Sequence, residues 1–163
     1  KDGSKTTITG GTINTSANGA NGVFSYGGNG GIMTTGGTIY AYDLDITTSG
    51  QSSAASGNNI ATLKASSQKL TGAIKVGSDS SLTLEISDNS TFYGYIDGKI
   101  TNAEGSSIST DVGKVSVTLD SSSTWTLTGD SYVTEFNGNP EIIRVSKSAN
   151  CRFFLGRFWC IYQ

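Results

Sequence analysis

The sequence predicts an all-β chain wound as a right-handed parallel β-helix (a solenoid), with a β-sandwich as the alternative. Three observations lead there. Apolar residues are scarce, strictly alternating apolar–polar runs recur between turn-forming clusters, and whole strand-plus-turn units repeat along the chain.

Scarcity comes first. Hydrophobic residues make up 35% of the 163 positions, while Gly numbers 22 and Ser plus Thr number 45. A spherical domain would struggle to fill its centre with so little apolar material. A solenoid needs less, because each coil buries a few inward side chains and turns the rest outward. Disorder is the competing reading of so much Ser, Gly and Asn. The β-branched and aromatic runs that recur throughout argue against it.

The strands are announced by alternation. Leu82, Leu84 and Ile86 are separated by Thr83 and Glu85; Val115, Val117 and Leu119 by Ser116 and Thr118. Trp125 and Leu127 are flanked by Thr124, Thr126 and Thr128. Period two puts each apolar set on one face of a strand. Turn formers stand between these runs, at Gly77-Ser78-Asp79, Ser87-Asp88-Asn89, Asp97-Gly98 and Thr128-Gly129-Asp130. Helical periodicity is not sustained anywhere.

Repeats separate the β-helix from the sandwich. Leu82 to Phe92 reads LTLEISDNSTF, and 33 positions later Val115 to Trp125 reads VSVTLDSSSTW. Ile13-Asn14-Thr15-Ser16 echoes as Ile46-Thr47-Thr48-Ser49, also 33 apart, and Gly10-Gly11-Thr12-Ile13 echoes as Gly36-Gly37-Thr38-Ile39, 26 apart. Parallel coils of unequal length account for both spacings. A sandwich explains alternation but not repeated units.

Composition breaks after Pro140, the only proline. Residues 1–140 carry seven Lys, no Arg and twelve acids, whereas 141–163 carry Arg144, Arg152, Arg157, one Lys, one acid and both cysteines. The expected organisation is a β-helix domain over 1–140 and a C-terminal tail over 141–163, read as a cap.

Several chemistries are excluded or disfavoured. The chain has no His, which removes His-dependent acid–base catalysis, the Ser-His-Asp triad and His-containing zinc sites. A net charge of −2 and a pI near 5.0 offer nucleic acid no basic face. No apolar run is long enough for a membrane helix, and membrane is not expected as a partner. The opening Lys-Asp-Gly-Ser lacks the apolar core of a signal peptide, so any secretion signal is expected to have been removed.

Gly-Ile-Met-Thr-Thr-Gly-Gly (31–37), Tyr-Asp-Leu-Asp-Ile-Thr-Thr-Ser-Gly (42–50) and Ser-Ser-Thr-Trp-Thr-Leu-Thr-Gly-Asp-Ser-Tyr-Val-Thr (122–134) resemble the adhesin-like right-handed β-helix surface proteins of gut Firmicutes. More distantly, the chain is similar to the cellulose- and acid-sugar-binding, pectate-lyase-like β-helix proteins of clostridia. The resemblance spans about residues 6–138 and implies a secreted or cell-surface bacterial protein. The tail departs from it.

Candidate sites follow. Asp43 and Asp45 stand two apart, so both point the same way on a strand, outward if Leu44 and Ile46 point in. In the pectate-lyase-like fold a paired outward carboxylate begins a Ca²⁺ site, so the resemblance implies Ca²⁺ or no cofactor at all; such a cation needs six to eight oxygens, of which two are visible. Tyr93 and Tyr95 alternate with Phe92, Gly94 and Ile96, which makes them a platform for pyranose stacking, and Tyr40 and Tyr42 share that spacing. The plainer reading is that these tyrosines cover a thin core. Thr124, Thr126 and Thr128 form an outward threonine row of the kind an ice-binding face would need, although their repeat partners Thr91, Tyr93 and Tyr95 do not keep it. In the tail, Cys151 and Cys160 could close a disulfide hairpin around Gly156, covering the last coil. Phe153, Phe154, Phe158 and Trp159 could instead contact a partner or a membrane.

The function expected is a non-catalytic extracellular binding or adhesion module of a bacterial surface protein that recognises glycans or host surface ligands, with polysaccharide or a host surface glycan as the partner. A Ca²⁺-dependent acid-sugar or cellulose-binding module is the alternative, and an ice-binding protein the third reading. No enzymatic activity is expected.

Overall fold

The computed structural model describes residues 5–15, 34–48, 59–78, 80–101, 106–147, 151–156 and 158–160; for 5–15, 34–48, 59–61, 101, 108 and 158–160 it describes the backbone alone. The protein is all-β. Along the chain come β1 (Lys5–Thr15), β2 (Thr34–Thr48), β3 (Asn59–Ser66), β4 (Lys69–Lys75), β5 (Ser81–Ser87) and β6 (Thr91–Asp97). Then follow β7 (Ile100–Thr101), β8 (Ser107–Ser109), β9 (Lys114–Leu119), β10 (Thr124–Leu127), β11 (Ser131–Val133) and β12 (Glu135–Asn137). A single 3-10 turn at Pro140–Ile142 precedes β13 (Ile143–Val145), β14 (Phe153–Leu155) and β15 (Phe158–Cys160).

The large sheet is parallel throughout and divides into two ladders at β2. The first half of β2 pairs with β3, and the ladder continues through β5 and β9 to β12. Ile46 and Thr47, in its second half, pair with Leu70 and Thr71 of β4, and this ladder continues through β6 and β10 to β13. β1 lies alongside both halves. A third, shorter ladder sets β14 parallel to β11. Antiparallel pairing is confined to the small β7–β8 and β14–β15 units among the described residues. A sandwich built of hairpins would pair its neighbours antiparallel, so the parallel register speaks against that alternative.

The 33-residue repeat is the pairing register itself. Leu82 faces Val115, Leu84 faces Val117, Ile86 faces Leu119 and Phe92 faces Trp125. Ile13 likewise faces Ile46. The 26-residue echo is not a register: Gly11 lies opposite Leu44, not opposite a glycine. Other steps are shorter, with Leu63 on Leu84 and Trp125 on Ile143. The surplus between β6 and β9 is extruded as the β7–β8 hairpin, whose base closes where Gly98 meets Asp111; a Cβ on Gly98 would lie 2.0 Å from the Asp111 carbonyl oxygen.

Alternation fixes which side chains meet inside. One inward column runs Ala65–Ile86–Leu119, another Leu70–Phe92–Trp125–Ile143, and all seven are buried. Each fully buried aliphatic or aromatic side chain contributes about 1.5–3 kcal/mol of transfer free energy. Phe92 and Trp125 stack, and the indole Nε1 donates to the carbonyl of Gly94 at 3.1 Å. Gly94 makes room for this packing. A Cβ there would fall 1.9 Å from the Gly72 carbonyl oxygen and 2.5 Å from the Phe92 ring.

The corner between the two ladders is polar and stacked. Ser67, Asp88 and Asn89 take left-handed backbone conformations, with φ of 55°, 57° and 61°. Turn residues bond to the turn on the next strand pair. The amides of Asp88, Asn89 and Ser90 donate to Asp120 Oδ2, Ser122 Oγ and Ser123 Oγ at 2.9–3.1 Å. Ser90 is fully buried, and its hydroxyl donates to the Ser87 carbonyl, with the Ala65 carbonyl 3.3 Å away, while accepting from the Gln68 amide. Short polar side chains suit these positions because each satisfies a backbone group that the bend leaves unpaired.

Ladder growth does not stop at Pro140. β13 adds to β10, and β14 adds to β11. Phe153 is buried, meeting Trp125 and Phe136 edge-on at centroid distances of 5.4 and 5.6 Å. The basic tail thus shares its core with the acidic body.

Candidate binding face

The outer face of the second ladder carries the exposed aromatic chemistry. In β6, Phe92, Gly94 and Ile96 point inward, so Tyr93 and Tyr95 project outward. Tyr93 is 46% exposed, the one large hydrophobic side chain that stands so open among the described residues. Its row runs Thr71–Tyr93–Thr126–Arg144 across four strands. The hydroxyl reaches Ser146 Oγ at 2.9 Å, although Ser146 lies past the end of β13, two strands away. Two strand spacings amount to roughly 9.5 Å. The ring must therefore lie along the sheet, across β10, with one surface against the protein and the other toward solvent.

Tyr95 differs. Lys75 Nζ sits 4.8 Å from its ring centroid and is held there by an ion pair of 2.7 Å with Asp97. Gly129 backs the ring, where an added Cβ would come within 3.1 Å. The side chain is only partly exposed. The two-ring platform expected at Tyr93 and Tyr95 is therefore one open ring beside one covered ring.

Tyr40 and Tyr42 do not join them. They share register with Lys64 and Ser66 on the first ladder, whereas Tyr93 and Tyr95 belong to the second. Asp43 and Asp45 lie on β2 between its stretches paired to β3 and β4, with Asp45 opposite Thr12 of β1. The side chains of Tyr40, Tyr42, Asp43 and Asp45 lie outside the described residues. Among the described residues no group of three or more acidic or Cys side chains could hold a metal ion. Thr124 and Thr126 face Thr91 and Tyr93, so the threonine row is not repeated on the neighbouring strand.

In the tail, Cys151 is a buried free thiol, not half of a disulfide with Cys160. Register explains this, since Cys160 lies opposite Phe153 in the β14–β15 pair and is offset from Cys151. The Cys151 thiol donates to the Leu127 carbonyl, and burial, with help from the Asp130 charge, pushes its pKa up. Phe153 faces the core and is unavailable to a partner or membrane. Phe154 instead stacks on Tyr132 at 4.5 Å, with the Arg152 guanidinium 5.7 Å from its ring and Asp130 beside it. Phe158 and Trp159 have their side chains outside the described residues.

No protein family, curated protein or solved structure matches the chain.

Spacing along β6 points neither to Ser146, which bonds the Tyr93 hydroxyl, nor to Arg144, which shares its row two strands away. The signal for Arg144 was present as Ile143-Arg144-Val145, one more alternating run. The Tyr93 ring is held at its hydroxyl by Ser146, with Thr71 and Thr126 beside it in the row and the exposed Arg144 at the row's end. Such a surface suits non-covalent contact with a flat ligand that presents hydroxyl groups on its edge.

Proposed function

We propose that the chain winds as a short right-handed parallel β-helix and acts as a non-catalytic extracellular binding or adhesion module of a bacterial surface protein, recognising glycans. The winding is supported by three parallel ladders whose successive strands are 18 to 33 residues apart. The right hand follows from the handedness of parallel crossover connections. The single observation that carries the binding reading is Tyr93. Its ring is exposed, yet pinned at the hydroxyl, so stacking a pyranose on it costs little side-chain entropy.

A glycan array probed with the purified chain, with and without EDTA, tests the reading. Binding to at least one glycan class should survive EDTA and fall about tenfold in Tyr93→Ala, which corresponds to about 1.4 kcal/mol. Tyr95→Ala should matter less. Binding that vanishes with EDTA would favour the Ca²⁺-dependent module instead, and retention of full affinity in Tyr93→Ala would discard the platform.

A further inference from the structure

We infer that the Tyr93 face is selective for anionic pyranoses, with Arg144 as the residue that reads the negative group; this rests on the reading of that face as a glycan site. Arg144 occupies the same row as Tyr93, two strands away, and is exposed. It has no acidic partner among the described residues, whose ion pairs join Lys64 to Glu85, Lys75 to Asp97 and Arg152 to Asp130. Asp97, the acid on the tyrosine strand, is neutralised by Lys75. Lys147 follows at the end of the same pass and is also exposed. Arg144 and Lys147 thus put two exposed cations on this pass, against the one exposed acid Glu141 three residues before Arg144.

Geometry makes the two groups complementary. The Tyr93 ring runs from β6 toward Ser146, so its centre lies between its own strand and β13. A sugar stacked there has its substituents within reach of a long side chain rising from Arg144. A guanidinium binds carboxylate or sulfate through paired N–H donors, so either substituent supplies the required chemistry. No metal is needed for this contact.

The test immobilises polygalacturonate, chondroitin sulfate and neutral dextran, and measures wild type, Arg144→Ala, Arg144→Lys and Tyr93→Ala at low and high salt. Wild type should prefer one or both anionic polymers, with affinity falling as salt rises. Arg144→Ala should lose about fivefold on the anionic polymers and nothing on dextran, and Arg144→Lys should recover part of that loss. Polygalacturonate against chondroitin sulfate distinguishes a carboxylate from a sulfate requirement. Equal binding of dextran, or an anionic preference untouched in Arg144→Ala, overturns the inference while leaving a Tyr93-dependent glycan site standing. Failure of wild type to bind any of these glycans or any on the array removes both.

Discussion

Phe92 and Trp125 stack across adjacent strands, their ring centroids 5.2 Å apart and their planes 28° from parallel. They are also the aligned aromatic ends of the two repeat units, so the sequence echo and the core contact are one feature. Around this pair the inward columns close, and the first prediction concerns it.

Trp125→Ala should destabilise the fold by about 3–5 kcal/mol, the range for removing a fully buried large aromatic. Trp125→Phe keeps the stacking but strands the Gly94 carbonyl, for a smaller loss of about 1–3 kcal/mol. Urea unfolding of the three proteins gives both figures. A Trp125→Ala loss below 1 kcal/mol would mean that the ring is not where the core depends on it.

Gly94→Ala is the second case, and it adds atoms. The new methyl would fall 1.9 Å from the Gly72 carbonyl oxygen, a backbone atom, and 2.5 Å from the ring of the buried Phe92. A loss of about 3 kcal/mol, at the upper end for overpacking, is expected. Thermal melting against wild type measures it, and a neutral outcome would show that β4 and β6 are farther apart than described.

These two cases show where the sequence was informative. Alternation and the 33-residue echo located Leu82 to Phe92 and Val115 to Trp125 and gave their pairing correctly, because a period of two and a repeated unit are local, translation-like signals. The echo of Gly10 in Gly36 marks no register, because Gly11 pairs with Leu44. The tail was harder. Phe153 adds to β11 only after β12, the Pro140 turn and β13 have intervened, and no repeated unit announces it. At the candidate site, the outward direction of Tyr93 was legible from alternation. What was not legible was lateral: which strands stand two places away determines Ser146 and Arg144, and spacing along one strand carries no trace of that.

Asp120 gives a pH dependence. Burial works against its charge, but hydrogen bonds from the Ser123 side chain, the Asp88 amide, the Ser122 side chain and the Ser123 amide outweigh it, and the pKa falls below the usual carboxylate value. A depressed folded pKa contributes stability above the unfolded value of about 3.9 that is lost as pH falls through the folded value. Melting temperature should therefore drop below about pH 4. Asp120→Ala should cost about 1 kcal/mol at neutral pH, modest because the carboxylate is partly hydrated, and should flatten that acid limb. An unchanged limb in the variant would assign the acid response to other groups.

Cys151 gives the opposite sign. Its raised pKa keeps the thiol neutral in the fold, so its contribution is complete below the unfolded value of about 8.5 and is lost as pH rises through the folded one. Iodoacetamide at pH 8 should leave Cys151 unmodified in the native protein and alkylate it readily in urea, read residue by residue by mass spectrometry. Rapid native labelling at Cys151 would contradict its burial.

The excursion between β6 and β9 has a consequence for the frame around it. The strands on either side stay in register although sixteen residues, 98 to 113, separate them. Spacing along the chain is thus decoupled from alignment in space. Phe92 meets Trp125 whatever the chain does between them, while the buried Ile100 and the Ser109 hydroxyl that accepts from the Ser78 amide tie the excursion to the frame at its base.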